Sequence, residues 1–420
     1  MNFCIQDPSY KESMYLHETI LDASKGGVNG GGAYAFASRG GIELLLADET
    51  FKLFLEKGKF FLVVGMDDIT NIRALQTLKA YAEKYSGHLT VKAYIHNNKG
   101  STFHPKYCWF QKKEGGVLII GSGNLTEQGL RHNREAYSVI DCNSEEINTV
   151  AKKWDEWIAH SHPFLFDIDD TRVLSVASKN ATKAHEVAKA KIAVLEKADT
   201  PDEQALKELF QKQPKDLFKK KRTPLPKKEP EKKPTITPPV SITIPVVADY
   251  NEDDYYWTIS PESDVLVAEI PKSGDRWKQV NFSKEVFEDF FGATCGENGV
   301  YRVLLKNVNS HGIVGDTEVR PSVSVSSHNY RFELDAAAGL EYPKGKNRPI
   351  GVFAKVSERD FLYQLVMPDD IGYNSLTSAL DKRARASSNM RRLTYLCKDI
   401  SKETSELAIW RHIDEDNYDN

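Results

Sequence analysis

The sequence predicts an α/β chain, with a first half built as an α/β sandwich around a mixed sheet and a second half that is mainly β, a small pseudobarrel. Three observations carry this reading. Short apolar runs alternate with amphipathic stretches through residues 1–165. A segment dense in Lys and Pro interrupts the chain near its middle. Beyond it, short runs spaced by Gly, Pro, Asp and Asn take over from the helices.

The elements follow in order. An amphipathic helix is expected near 11–25, then a strand at Ala33–Ala37, a helix at 41–57, and the strand Phe60–Gly65, whose FFLVVG fits a fully buried position. The glycine run Gly26–Gly32 precedes a strand instead of following one, so it fails as a phosphate-binding loop and reads as a flexible loop. A helix near 70–86 leads to strands at Leu89–Ile95, Lys106–Phe110 and Gly116–Gly121, then a short helix, a strand at Glu135–Ile140 and a helix at 144–160 with Trp154 and Trp157 on its core side. An Ala-, Lys- and Glu-rich helix over 172–212 joins this half to a linker, so that 166–245 connects a first domain, 1–165, to a second, 246–420, each able to fold alone. The second half offers strands at Val265–Ile270, Tyr301–Leu305, Val323–Ser326, Tyr330–Leu334, Gly351–Ala354 and Phe361–Val366, a helix at Ser283–Phe291 and a basic helix at Leu380–Leu393.

The 420 residues carry 56 Lys and Arg against 60 Asp and Glu, a net charge of −4. The total hides its distribution. Residues 211–234 hold ten basic and three acidic side chains, net +7, which leaves −11 for the rest. Seven of the 18 prolines fall in 211–239, so this stretch cannot bury enough apolar surface to offset its ordering entropy and is expected to be exposed and extended. No stretch approaches the roughly 20 apolar residues that span a bilayer, and no secretory signal opens the chain, so no membrane partner is expected. The five cysteines, Cys4, Cys108, Cys142, Cys295 and Cys397, are scattered and odd in number, which suits reduced thiols in a cytoplasmic protein rather than a zinc site.

The chemistry concentrates in Phe103–Glu135. His104 and Lys106 are two apart, so on a strand both face the same way. The strand Gly116–Gly121 runs into Ser122-Gly123-Asn124, a glycine-bracketed turn whose backbone N–H groups can approach an anion. Glu135 opens the strand after it. Adjacent strands would gather an imidazole, an ammonium, a hydroxyl, an amide and a carboxylate around one pocket, a set suited to a phosphodiester.

H-x-K, then G-S-x-N with Thr126 following, then Glu resembles the HKD motif of the phospholipase D superfamily. The resemblance implies His104 as nucleophile forming a phosphohistidine, Lys106, Ser122 and Asn124 as phosphate ligands and Glu135 as support for the histidine. The motif's aspartate is replaced by Gln111. H-x-K occurs once, whereas superfamily enzymes use two motifs, which implies a homodimer with one site across its twofold axis. It also implies metal-independent chemistry with no cofactor.

In the second half, Ala268–Phe282 presents Lys272, Ser273, Arg276, Trp277, Lys278, Gln279 and Asn281, and a second polar segment presents Arg320, Ser327, His328, Asn329 and Arg331. Arg and Lys pair with guanine edges, and Gln and Asn with adenine edges or phosphate. Together these segments resemble the two arms of a B3-like DNA-binding domain, and the whole is similar to NgoFVII/BfiI-type restriction endonucleases. The expectation is a sequence-specific endonuclease acting on double-stranded DNA. The alternatives are a nuclease subunit that cuts only with a separate helicase-like ATPase, since the chain has no P-loop, or a DNA-binding regulator with an inactive nuclease fold.

Overall fold

A computed structural model describes residues 1–10, 13–96, 100–181, 257–272, 277, 279–293, 301–321, 330–344, 347–383 and 390–413. The first half contains β1 (Asn2–Gln6), α1 (Leu16–Ser24), β2 (Gly27–Tyr34), α2 (Arg39–Leu46), α3 (Glu49–Leu55), β3 (Lys59–Gly65), α4 (Ile72–Lys84), β4 (Leu89–Tyr94), β5 (Lys106–Lys112), β6 (Gly116–Gly121), a π-helix at Gln128–His132, β7 (Glu135–Cys142), α5 (Ser144–Ser161) and β8 (Leu165–Asp167). The strands form one eight-stranded mixed sheet in the order β1-β7-β6-β5-β2-β3-β4-β8. In this sheet only the β2–β3 and β3–β4 pairings are parallel. Alternation along β5 shows how the sheet is covered: Cys108 and Phe110 enter the interior that also takes up α1 to α4, and Trp109 turns to the opposite side, against Trp154 of α5.

The glycine run corrects one expectation. Gly27 to Gly32 are not a loop but most of β2, paired with β3 on one side and β5 on the other. The reason is steric. A Cβ on Gly31 would stand 2.8 Å from the Trp154 ring and 2.9 Å from Trp109, and one on Gly32 would meet Cys108 and Phe60 at 3.2 Å. The bare strand lets those large rings close over it from both faces. The predicted helix at 41–57 is two helices, broken at Ala47-Asp48, where the Asp48 side chain caps α3 by accepting from Thr50 N.

The second half contains β9 (Asp264–Glu269), β10 (Gln279–Asn281), a π-helix at Val286–Phe290, β11 (Arg302–Val308), β12 (Val314–Pro321), β13 (Arg331–Glu333), β14 (Ile350–Lys355), β15 (Asp360–Val366), α6 (Tyr373–Arg383), β16 (Arg392–Leu396) and α7 (Cys397–Glu403). Six strands form a sheet in the order β12-β11-β15-β14-β9-β16, and β10 and β13 form a separate ribbon. The basic segment at Leu380–Leu393 is not a single helix: α6 ends at Arg383, and Leu393 lies in β16, where it pairs with Val267. Bonding the open edge of β9 satisfies that strand's backbone better than a further helical turn would.

Residues 171–181 are helical, and the rest of the helix expected to 212, the basic linker, Cys295 and the strand expected at Val323–Ser326 lie outside the described residues. The described parts of the two halves share one interior. Ile20, Leu21 and Leu45 belong to the same apolar cluster as Leu304, Val308 and Leu362. Their joint burial gives each half a reason to fold against the other.

Candidate active site at the end of three antiparallel strands

β5, β6 and β7 are consecutive neighbours and alternate in direction, so the start of β5, the end of β6 and the start of β7 meet at one end of the sheet. Tyr107 pairs with Ile120 and Gly121 with Tyr137, which sets Lys106, Ser122 and Glu135 at that shared end. Sequence spacing alone could place these residues on strand ends; the antiparallel order is what brings the ends together.

His104 is held from two directions. The Ala35 N–H donates to Pro105 O at 2.8 Å, extending the β2 pairing past its last residue, and the Phe103 N–H donates to Asp67 Oδ2 at 2.7 Å. The imidazole packs edge-on to Phe36 with ring centroids 6.0 Å apart. Lys106 Nζ lies 3.0 Å from each ring nitrogen of His104. Burial lowers the pKa of the Lys106 ammonium from the ordinary lysine value, and the charge of Glu135 opposes that shift. The imidazole, the ammonium and the carboxylate thus share one electrostatic environment.

Glu135 bridges to the turn. One of its carboxylate oxygens accepts a short hydrogen bond from Ser122 Oγ, and the other accepts from Asn133 Nδ2 at 3.0 Å. The Ser122 N–H is bonded to Ala136 O, which carries the β6–β7 ladder into the turn. Glu135 therefore steadies Ser122 within this chain; among the described residues it makes no hydrogen bond to His104, the partner expected for it. Asn124 follows with its side-chain oxygen Oδ1 buried and without a hydrogen-bond partner, a group that costs about 1–3 kcal/mol to leave unsatisfied. The Leu125 N–H donates to Phe36 O and Leu125 O accepts from the Ser38 N–H, so the segment after Asn124 is tied to the segment that carries Phe36.

Phe36, Asp67 and Asn133 are the supporting residues that sequence reasoning missed. Asn133 stands two positions before Glu135, but nothing in that spacing marks its amide as a carboxylate ligand. Gln111 is informative in the other direction. It lies five residues along β5 from Lys106, about 17 Å at strand rise, and its amide donates to Asn148 Oδ1 of α5 at 2.7 Å. The missing aspartate of the motif therefore removes no group from the cluster.

The residues of the two proposed arms are distributed unevenly. Gln279 and Asn281 lie in β10 and Arg331 in β13, and the ribbon pairs Asn281 with Arg331. The roots of the two segments are thereby side by side. Lys272 is exposed. Gln279 donates to Glu333 Oε1 at 2.8 Å, and Arg320 is engaged by Glu318, by Asp335 and by Glu333 O. Trp277 is a correction. It is buried, its ring packs on Tyr342, and its Nε1 donates to Leu340 O at 3.1 Å, because the indole is large enough to fill an apolar cluster with Val280, Phe282 and Phe332 and finds its polar partner there. Ser273, Arg276, Lys278, Ser327, His328 and Asn329 lie outside the described residues. Among the described residues no group of three or more His, Cys, Asp or Glu is arranged to hold a metal ion, and no helix is long and apolar enough to cross a membrane.

Residues 37–161 match the family model described as "Cardiolipin synthase, PLD-like domain", a span that contains His104, Lys106, Ser122, Asn124 and Glu135. Part of the first half is thus similar to a PLD-like domain. Solved structures similar to parts of the chain include Nuc from Salmonella typhimurium, a phospholipase D family member, at 14% identity over 40% of this chain and 95% of that one, TM-score 0.29. They also include NucT from Helicobacter pylori, at 14% identity over 34% and 86%, TM-score 0.26, and the N-terminal domain of Helicobacter pylori LlaJI.R1, at 15% identity over 31% and 97%, TM-score 0.21. No curated protein matches the chain.

Proposed function

We propose that the chain is a phosphodiesterase acting on DNA, a restriction-type endonuclease that cuts through a covalent His104 intermediate. The observation that carries this is the meeting of His104, Lys106, Ser122, Asn124 and Glu135 at one end of β5, β6 and β7 inside a span similar to a PLD-like domain. A ring nitrogen of His104 attacks phosphorus, forming an N–P bond as the P–O bond to the leaving oxygen breaks. Lys106 and the Asn124 amide donate to the non-bridging oxygens, and Ser122, whose hydroxyl proton goes to Glu135 in the free site, joins them when that proton turns to the phosphate. The leaving oxygen takes its proton from a second imidazole, the partner's His104; water then attacks the phosphohistidine, and that imidazole accepts its proton.

One feature favours a second copy as the source of that imidazole. Phe3, Ile5 and Ile120 are exposed apolar side chains on neighbouring strands, with Ser138 in register between Phe3 and Ile120, next to Ser122 and Glu135. An apolar patch beside half an active site suits a self-complementary interface. DNA is favoured over a lipid substrate by the basic stretch 211–234 and by the ribbon that sets Asn281 beside Arg331. In this reading the second half is a B3-like reader of a duplex site, with Lys272, Gln279, Asn281 and Arg331 at its contact edge. A subunit that needs a separate helicase-like ATPase would show the same site, and differs only in being silent alone.

The test is cleavage of mixed duplex DNA in EDTA, with and without ATP, by wild-type protein and His104→Ala, with sedimentation in the same buffer. The reading expects metal-free cutting at defined sites, a dimer, and loss of cutting in the variant. Cutting that EDTA abolishes, or that His104→Ala retains, overturns the mechanism.

A further inference from the structure

The turn at Asn124 rests directly on the π-helix Gln128–His132. A Cβ on Gly129 would come within 2.6 Å of Asn124 N and 2.7 Å of its carbonyl oxygen, and one on Gly123 within 2.7 Å of Gly129 O. Backbone meets backbone with no side chain between, so a shift of the π-helix is a shift of Asn124. At its other end the π-helix leads into Asn133, whose amide holds Glu135.

The π-helix is held from both halves of the chain: the Gln6 amide donates to Gly129 O at 3.2 Å and to Asn133 O at 2.9 Å, and the second half grips it through Arg131, Glu127 and His132. Arg131 is fully buried. Its Nε donates to Asp360 Oδ1 at 3.1 Å, one terminal nitrogen donates to Glu18 at 3.0 Å, and the other donates to the carbonyl of Arg302 at 2.8 Å. Glu127 accepts from Trp257 Nε1 at 3.0 Å, and His132 Nε2 lies 3.6 Å from Asp360 Oδ2. The Asp360 carboxylate is itself aimed by Ser357, whose hydroxyl donates at 2.7 Å. A buried guanidinium that loses a partner is left with uncompensated charge, and the backbone carrying it must move to find water. The segment between Asn124 and Glu135 is therefore held by Gln6 and Glu18 from the first half and, through Arg131, by a residue 229 positions further along the chain.

We propose that Asp360 is a positioning residue for the site: through Arg131 it fixes the π-helix, and with it Asn124 and Glu135, so that the second half sets the geometry of a centre it does not enter. The activity readout rests on the phosphodiesterase reading; the exchange readout does not. Full-length Asp360→Asn keeps the side-chain shape and removes the charge. Hydrogen exchange is expected to quicken about tenfold in the amides of 122–135 and to stay unchanged in β3. Turnover of bis(p-nitrophenyl) phosphate, which needs no DNA reading, is expected to lose about tenfold in kcat with KM and duplex affinity unchanged. Unaltered exchange across 122–135 in the folded variant overturns the proposal. Should Asp360→Asn fail to fold, Trp257→Phe decides in its place: it removes the hydrogen bond to Glu127 and trims the ring that packs on His132 and under Lys306, and is expected to loosen the same amides by about threefold. No loosening there overturns the proposal equally. Wild-type protein that leaves the small diester intact counts against the phosphodiesterase reading alone, and exchange then decides the positioning role.

Discussion

Asn124 is the residue whose environment says most about its task. Its side chain is part-buried at the end of a turn held by backbone on both sides, and its amide oxygen has no partner within the protein. The packing fixes the Asn124 backbone, and in the proposed reaction its amide Nδ2, not the buried oxygen, is the group that donates to developing charge. Asn124→Ala is expected to lower kcat for a phosphodiester by about 10²–10³ with little change in the unfolding midpoint, since it removes a transition-state donor and no core contact. Steady-state kinetics beside a urea titration checks this; equal loss in a Glu127→Gln control would show general loosening instead. For the five candidate residues, strand periodicity and one glycine-bracketed turn gave places at strand ends, while their meeting depends on the antiparallel order of β5, β6 and β7. Arg131 was not legible in the sequence, because a buried arginine is identified only by its partners, and Glu18, Arg302 and Asp360 are 113, 171 and 229 positions away.

At the scale of elements, β2 shows why local pattern misleads. GGVNGGG has the composition of a loop, yet from Gly27 on it forms a central strand between β3 and β5, because the rings of Phe60, Phe110, Trp109 and Trp154 occupy the space its side chains would need. The information sits on other elements, so it could not be read from the run itself. The site depends on this packing: Tyr34, at the end of β2, pairs with Lys106, and Ala35 bonds Pro105 beside His104. Gly31→Ala is therefore expected to destabilise by about 1–3 kcal/mol through overpacking. Val28→Thr, on the exposed part of the same strand, should stay within about 0.5 kcal/mol. Urea midpoints of the two variants make the comparison, and equal stability would mean the tryptophans have room that the geometry denies them.

At the scale of the molecule, the seam between the halves is a buried meeting of charges, and this gives it a pH dependence with a definite sign. Arg302 clasps Asp48 at 2.7 and 3.1 Å, and Arg359 reaches Glu18 at 2.7 Å. Among them lie two neutral histidines. Burial, with a further contribution from the Arg131 charge, lowers His17 to about 3, and burial likewise lowers His132 to about 3 although Asp360 opposes the shift. In the unfolded chain a histidine takes up its proton near 6.5. Between those two values the unfolded state binds more protons than the folded one, so stability is complete above about 6.5 and falls as pH drops toward 3, each histidine adding a slope of about 1.4 kcal/mol per pH unit. Asp48 acts in the same direction: burial alone would raise its pKa, but the Arg302 hydrogen bond and charge outweigh it, so this carboxylate too resists protonation in the fold. The expected result is a urea midpoint that falls steeply from pH 7 to pH 5. His132→Gln, which keeps the volume but cannot titrate, should flatten that fall. Because both histidines line the seam, tryptophan fluorescence and far-UV ellipticity should lose their folded signals together as the pH drops, with the halves parting as they unfold. A slope unchanged in His132→Gln would place its proton elsewhere than in the unfolded chain and remove the acid lability from the seam.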